Sequence, residues 1–253
     1  MSVHISCYGG GTNSTALLIE KVRLKEPIDI ILFANTGGEK SHTYTYIDLF
    51  SSWLVERGYP AIEIVNAVNR EGEFITLEQD CLTRHALPSI AYGFKTCSLR
   101  WKLAPQEKFL NHHTLCKAEW EAGRPVIKHV GFDWGESHRV KDYDEDKKFT
   151  TVYDLVDWRW NRRRCVDEII KAGLPLPGKS SCFFCSSMKQ AEIYDLRDNY
   201  PDLLERALAI ESNAELTTIP GLGRSYSWRE MLKQESLDFC ENSVEVDCGC
   251  YDG

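Results

Sequence analysis

The chain alternates between two apolar rhythms from its first residues. Val3-His4-Ile5-Ser6-Cys7 is alternating and β-branched, which predicts a short strand. Three glycines follow, then Thr12-Asn13-Ser14-Thr15 and the helical run Ala16-Leu17-Leu18-Ile19-Glu20-Lys21, with Thr12 or Asn13 as a natural N-cap. Ile28 to Ala34 is almost wholly apolar, as expected of a parallel strand covered on both faces. Asn35 to Glu39 reads as a turn, 43–57 as a helix and Ala61 to Val65 as a third strand. Alternating strands and helices predict an α/β fold with right-handed crossovers.

The middle is less regular. A helix flanked by loop fits 72–87, and helix fits 97–110 after its first residues. Val126 to Gly131 predicts another strand, and the polar, acidic stretch from Phe132 to Lys148 predicts a long loop. The stretch 151–156 leads into a helix over 162–172, which the run Gly173-Leu174-Pro175-Leu176-Pro177-Gly178 ends. Two further helices are expected near 188–199 and 201–214. The expected organisation is an α/β domain over 1–175 and a helical, cysteine-bearing extension with a tail over 176–253.

Composition narrows the class. The 253 residues are 43% hydrophobic and 27% charged, which suits a globular chain with a substantial core and not a disordered one. No stretch approaches the ~18–20 apolar residues of a membrane span, so no membrane partner is expected. The start lacks a basic segment followed by an apolar run, and the expected location is cytoplasmic. With 30 basic against 38 acidic residues the net charge is -8, which argues against non-specific coating of nucleic acid. The ten cysteines are therefore expected to be mostly reduced: some as small buried hydrophobes, others in metal or redox chemistry.

A strand, three glycines, hydroxyl residues and a helix make a mechanism by themselves. Glycine lets backbone N–H groups approach a ligand, and a helix N-terminus adds unpaired donors and partial positive charge, so the segment suits phosphate. It is neither a Walker A loop, since no Lys-Ser/Thr pair follows, nor a dinucleotide fingerprint, since its third glycine is adjacent. Gly9-Gly10-Gly11-Thr12-Asn13-Ser14 resembles the PP-loop, Ser-Gly-Gly-x-Asp-Ser, of the adenine nucleotide α-hydrolase-like superfamily; Gly10, Gly11 and Ser14 match, while Gly9 replaces Ser and Asn13 replaces Asp.

Within that superfamily the chain resembles the phosphoadenylylsulfate (PAPS) reductase-like family over roughly residues 3–190. Phe33 to Glu39, followed by Thr43-Tyr44, resembles its Asp-Thr-Gly motif, with Asn35 in place of Asp. Cys97, Lys102 and Pro105 match its Cys-x-x-x-x-Lys-x-x-Pro segment. Gly131 with Glu136-Ser137-His138-Arg139 resembles its Gly-x-Arg-x-x-Glu-Ser-x-x-Arg loop. The resemblance implies a Rossmann-like (HUP-type) parallel sheet flanked by helices. It also implies an adenine-nucleotide site in which Gly9 to Ser14 cradle phosphate, Phe33, Asn35 and Thr36 line the adenosine, and Gly131 and Glu136 contribute nearby. Lys102, as a point charge, and Arg139, as a forked donor, would hold an oxyanion; Arg100 offers a similar fork. Arg162-Arg163-Arg164 reads as a solvated helix face with a second reading as a polynucleotide contact.

Cys182-Phe183-Phe184-Cys185 is a C-x-x-C able to give two thiolates to one metal, with zinc and an iron–sulfur cluster using the same ligands; a redox dithiol is the third reading. Packed core residues are the expectation for Cys7, Cys81, Cys116 and Cys165. The preceding Leu174-Pro175-x-Pro177 and Lys179-Ser180-Ser181 resemble a cluster-bearing branch with adenylylsulfate reductases, tRNA thiolation enzymes and the DNA phosphorothioation sulfur-transfer subunit. This implies a 4Fe–4S cluster, with zinc as the alternative, on Cys97, Cys182 and Cys185 and a fourth ligand from Cys240, Cys248 or Cys250. Asp247-Cys248-Gly249 also resembles the reductases' mobile Glu-Cys-Gly tail, in which Cys248 would be the nucleophile.

The leading expectation is a PAPS reductase-like enzyme of sulfonucleotide reduction or sulfur transfer, using PAPS or ATP, with Mg²⁺ as a further candidate and a redox protein or sulfur donor as partner. ATP-dependent adenylation and thiolation of a tRNA or DNA component is the alternative, with nucleic acid the less favoured partner. A non-catalytic nucleotide- or metal-sensing module is the third. The oligomeric state has no signature in the sequence.

Overall fold

The computed structural model describes residues 2–88, 90–91, 94–140 and 147–235. In chain order the elements are β1 (His4–Cys7), α1 (Thr12–Leu24), β2 (Ile30–Asn35), α2 (Ser41–Val55), β3 (Ile62–Asn66), α3 (Leu77–Thr83), β4 (Ile90–Ala91), β5 (Phe94–Lys95), a π-helical turn (Ser98–Leu103), α4 (Ala104–His112), α5 (Thr114–Glu121), β6 (Val126–Val130), a 3₁₀ turn (Trp134–Arg139), β7 (Phe149–Val152), α6 (Asp154–Asp157), α7 (Arg162–Lys171), α8 (Gln190–Asn199), α9 (Pro201–Asn213) and α10 (Trp228–Glu235). They form two compact units: one of residues up to Asn35, Lys40–Asn66 and Lys102–Ser180, the other of Thr36–Glu39, Ala67–Trp101 and Ser181 onward. The division near 180 falls close to the expected boundary at 175, but the second unit also takes two segments from the first half of the chain, which contiguous reading does not anticipate.

The first unit is built on a wholly parallel sheet of order β3-β2-β1-β6-β7. In β2 the pleat sends Ile31 and Phe33 into one core and Ile30, Leu32 and Ala34 into the other. That two-sided burial is why the strand reads as a continuous apolar run. One core takes α1, α2, α6 and α7 through Leu17, Leu18, Phe50, Leu155 and Ile169, and the other takes α4 and α5 through Leu110 and Cys116. On α2 the buried positions Thr43, Tyr46 with Ile47, Phe50 and Leu54 recur at three- to four-residue intervals, as one helix face demands. Pro105 lies in the first turn of α4, where its missing N–H costs nothing.

Two strand-end features differ from expectation. The stretch 149–152, read as loop and lead-in, is β7, paired with β6 from Val126↔Phe149 to His129↔Val152. The stretch after β6, read as loop throughout, contains the 3₁₀ turn, opened by Asp133 as N-cap with Glu136 three residues on. That is a capping box, a signal already present in the sequence.

A largely buried polar chain links β1, β6, α1 and α6. His4 Nδ1 lies 3.0 Å from His129 Nε2, His129 Nδ1 lies 2.6 Å from Asp154 Oδ2, and Lys21 Nζ lies 2.6 Å from both Asp154 Oδ1 and Glu26 Oε2. Lys21, His129 and Asp154 are all buried. Burial alone would raise the Asp154 carboxyl, but hydrogen bonds and charge from His129 and Lys21 outweigh it and hold it below the usual carboxylate range. Burial, with His129 beside it, lowers His4.

The second unit packs α3, α8, α9 and α10 around Leu77, Trp101, Phe183, Phe184, Leu196, Ala207 and Trp228. Thr76 and Gln79 cap α3 reciprocally, and Pro201 occupies the first turn of α9. Glu211 is the buried pivot of the C-terminal part. Its carboxylate accepts from the N–H groups of Leu222 (2.7 Å), Trp228 (3.0 Å) and Arg229 (3.1 Å) and from the Ser227 hydroxyl (2.7 Å), fixing the start of α10. Glu211→Gln removes the charge from four donors and is expected to cost about 1–3 kcal/mol, read by denaturant unfolding.

Candidate functional site

In an open parallel sheet, ligands bind beyond the carboxyl ends of the strands where the strand order reverses. Here that place lies between β1 and β6, and both following loops belong to the first unit. The loop after β1 is Tyr8 to Gly11, and Gly11 is the N-cap of α1 with no side chain to close the helix start. Two of the loop's carbonyls are already occupied. Ser180 Oγ donates to Gly9 O at 2.6 Å, and Gly11 O accepts from Thr15 N at 3.1 Å and Thr15 Oγ1 at 2.8 Å. Ser14 Oγ accepts from Gly9 N at 3.2 Å. With these two carbonyls engaged and no side-chain cap on α1, the N–H groups of the helix's first turn suit an anion.

Two glycines hold this geometry. Gly10 has φ +75°, and a Cβ there would lie 3.2 Å from both Ser180 Oγ and Thr43 Cγ2. A Cβ on Gly131, at the end of β6, would lie 2.8 Å from Ser14 Cα and 2.9 Å from Ser14 N. Gly131 thus lets β6 approach the first turn of α1. A Cβ on Gly11 meets nothing within 4 Å, so that side of the loop is open.

Asn13 sits where the PP-loop pattern has Asp, and the structure gives a physical reason. Its Nδ2 donates to Asp133 Oδ2 at 3.1 Å and Glu136 Oε2 at 2.9 Å, while its Oδ1 accepts from Arg162 Nη1 at 3.4 Å. An aspartate there would face both carboxylates as a third; the amide donates to each of them instead. Glu136 also pairs with Arg139, whose guanidinium lies 4.0 Å from the Phe132 ring centroid. Asp133, Arg162 and Ser180 were not singled out for this site from the sequence. Asp133 had its capping-box spacing as a signal, whereas nothing local marked Ser180, which comes from far along the chain.

The other expected residues fall as follows. Phe33 is 2% exposed, packed in the core with its ring edge under Gly10, so it supports the loop and has almost no surface to give an adenosine. Asn35 donates to Asn66 Oδ1 at 3.0 Å and accepts from the Tyr44 hydroxyl at 2.9 Å. Lys102 is half-buried in the π-helical turn, in the first unit. Thr36 belongs to the second unit and is 1% exposed, with its Oγ1 3.1 Å from Cys182 Sγ. Its role is therefore at the cysteine turn.

That turn is fixed by its backbone: Phe183 N donates to Gly38 O at 2.7 Å and Cys185 N to Cys182 O at 3.0 Å. Cys182 and Cys185 are half-buried against the second unit's apolar cluster. Among the described residues no three His, Cys, Asp or Glu side chains converge as a metal site. Cys97 packs against the same apolar cluster as Cys182 and Cys185. It also lines a cavity of about 300 Å³ with Cys81, Asp80, Arg100 and Trp101. Arg100 pairs with Asp80 at 3.1 Å. Burial, with Asp80 and Cys97 nearby, pushes the Cys81 thiol up to about 12, and burial raises Cys116 to about 11 and Cys165 to about 12. These three are core thiols as expected, while Cys7 is half-buried at the end of β1. Cys240, Cys248 and Cys250 lie outside the described residues.

The fold and loop define an α/β protein with a doubly wound parallel sheet and a glycine loop at its strand-order reversal. No protein-family model and no curated protein matches the chain. Among solved structures it is similar to the U34-tRNA thiolase NcsA from Methanococcus maripaludis with its [4Fe-4S] cluster, at 14% identity and TM-score 0.45, over 96% of this chain and 78% of that one. No helix among the described residues is long and apolar enough to cross a membrane.

Proposed function

We propose that the chain is an adenine-nucleotide-binding enzyme of sulfur transfer, with ATP bound at the Gly9–Ser14 loop. The observation that carries this reading is the loop itself: it opens α1 at the reversal of strand order, with no side-chain cap and two of its carbonyls already hydrogen-bonded. The N–H groups there suit the polyphosphate, while Asp133 and Glu136 would hold the Mg²⁺ that accompanies it. Such a site activates an acceptor oxygen. A bond forms from that oxygen to the α-phosphorus, and pyrophosphate leaves with the electron pair of the broken P–O bond. A hydrosulfide sulfur then bonds to the activated carbon, and AMP leaves with the electron pair of the broken C–O bond. The protein's own part is to align the phosphates and neutralise charge as pyrophosphate departs. Arg139, held between Glu136 and Phe132, is placed to contribute there.

In this reading Cys182 and Cys185 give two ligands to a metal centre that must draw its others from beyond the described residues. Sulfonucleotide reduction is the second reading, favoured by the Asp247-Cys248-Gly249 tail. Incubation with ATP, sulfide and a candidate acceptor should release pyrophosphate. Release of sulfite from PAPS, without pyrophosphate from ATP, would replace the first reading by the second.

A further inference from the structure

The first unit carries an exposed aromatic and basic surface that nucleotide binding does not use. Trp134, in the 3₁₀ turn, is 47% exposed. Its backbone N–H donates to Trp160 O at 2.7 Å, which ties this turn to the segment leading into α7. The Arg159 guanidinium lies 5.7 Å from the Trp134 ring centroid, and that of Arg164 lies 5.2 Å from the Trp160 ring. Arg162 and Arg163 are exposed on the first turn of α7. Arg162 also reaches Asn13, so the surface adjoins the first turn of α1.

The charges here are not all cancelled locally. Arg164 pairs with Glu168 at 2.7 Å and Arg139 with Glu136, whereas Arg159 and Arg163 form no ion pair with a carboxylate among the described residues. An exposed indole flanked by guanidinium groups is the chemistry that recognises an unstacked base next to phosphates. A duplex offers no free base face to such a ring. The net charge of -8 restricts the favourable field to this patch, which suits a short single strand better than a long helix.

We propose that this surface binds single-stranded nucleic acid, with a base stacked on Trp134 and phosphates held by Arg159 and Arg163. The strand is thereby led to the glycine loop. The inference rests on the sulfur-transfer reading above and gives its acceptor a class: a base in a single-stranded stretch of polynucleotide.

The test uses the full chain and fluorescence anisotropy with labelled single-stranded RNA, single-stranded DNA of the same sequence, and the duplex, while calorimetry follows ATP on the same samples. The unmodified chain should bind a single strand more tightly than the duplex, and the RNA and DNA arms show which sugar it prefers. Trp134→Ala should weaken single-strand binding by about fivefold or more. Arg159→Glu with Arg163→Glu should weaken it further and flatten its salt dependence. ATP binding should be unchanged in all of them. No single-strand binding by a chain that binds ATP, or full binding by Trp134→Ala, would overturn the surface alone. Tighter binding to duplex would also overturn it. Single-strand binding that depends on Trp134, in a chain with no ATP affinity, would instead remove the nucleotide reading while upholding the surface.

Discussion

Lys21→Ala is expected to lower the unfolding free energy by about 3–5 kcal/mol, the usual cost of removing one partner from a buried ion pair. Lys21 is 4% exposed and stands between Asp154 and Glu26, so its loss leaves the Asp154 carboxylate buried with only His129 to answer it. For a chain of this size that amounts to a melting temperature lower by roughly 10 °C. The double change Lys21→Met with Asp154→Leu should recover much of the loss, because neither charge remains. Calorimetry on the three proteins tests this, and an unaltered melting temperature in Lys21→Ala would show that the chain of groups contributes nothing to stability.

The same groups set the acid limb. His4 has its folded value below 6.5, so between the two values the unfolded chain binds more protons and stability falls as pH drops below about 6.5. Asp154 has its folded value below 3.8, so its contribution is complete above that value and disappears as pH falls through the folded one. Stability should therefore decline in two steps on acidification. His4→Gln should remove the upper step and leave the lower.

Gly131→Ala should weaken ATP binding at least tenfold, about 1.4 kcal/mol, and abolish pyrophosphate release. The added methyl would lie 2.8 Å from Ser14 Cα, a backbone atom that cannot rotate away. Either α1 shifts from β6 or the strand end moves, and both displace the donors of the glycine loop. Overpacking of this kind costs stability as well, typically about 1–3 kcal/mol, so binding is measured below the variant's melting temperature. Ala at Gly11, which faces open space, is the matched control for stability.

Much of this was legible in the sequence because the relevant physics is local. The β1–glycine loop–α1 unit, the apolar β2, the face of α2 and the proline that starts α9 each follow from neighbouring residues. β7 was missed because Phe149 to Val152 is too short to show a period and becomes a strand only by pairing with β6. The site was half legible. The glycines could be read, but Asp133, Arg162 and Ser180 reach the loop through tertiary packing. The replacement at Asn13, which looks like a loss on its own, becomes intelligible beside the two carboxylates it joins. Phe33 and Thr36 matched a ligand-lining motif yet are buried, since burial is a property of the folded neighbourhood and not of the motif. Cys97 was grouped with Cys182 and Cys185 on the family resemblance; the folded unit packs all three against one apolar cluster, with Cys97 also lining a cavity beside Cys81.

The central claim is that the loop at the start of α1 holds the nucleotide's phosphates. Hydrogen–deuterium exchange with and without Mg-ATP reads that location directly. The amides of residues 9–15 should exchange more slowly on ATP addition, and this protection should be lost in Gly131→Ala. Saturating ATP binding that leaves exchange in 9–15 unchanged would contradict the account.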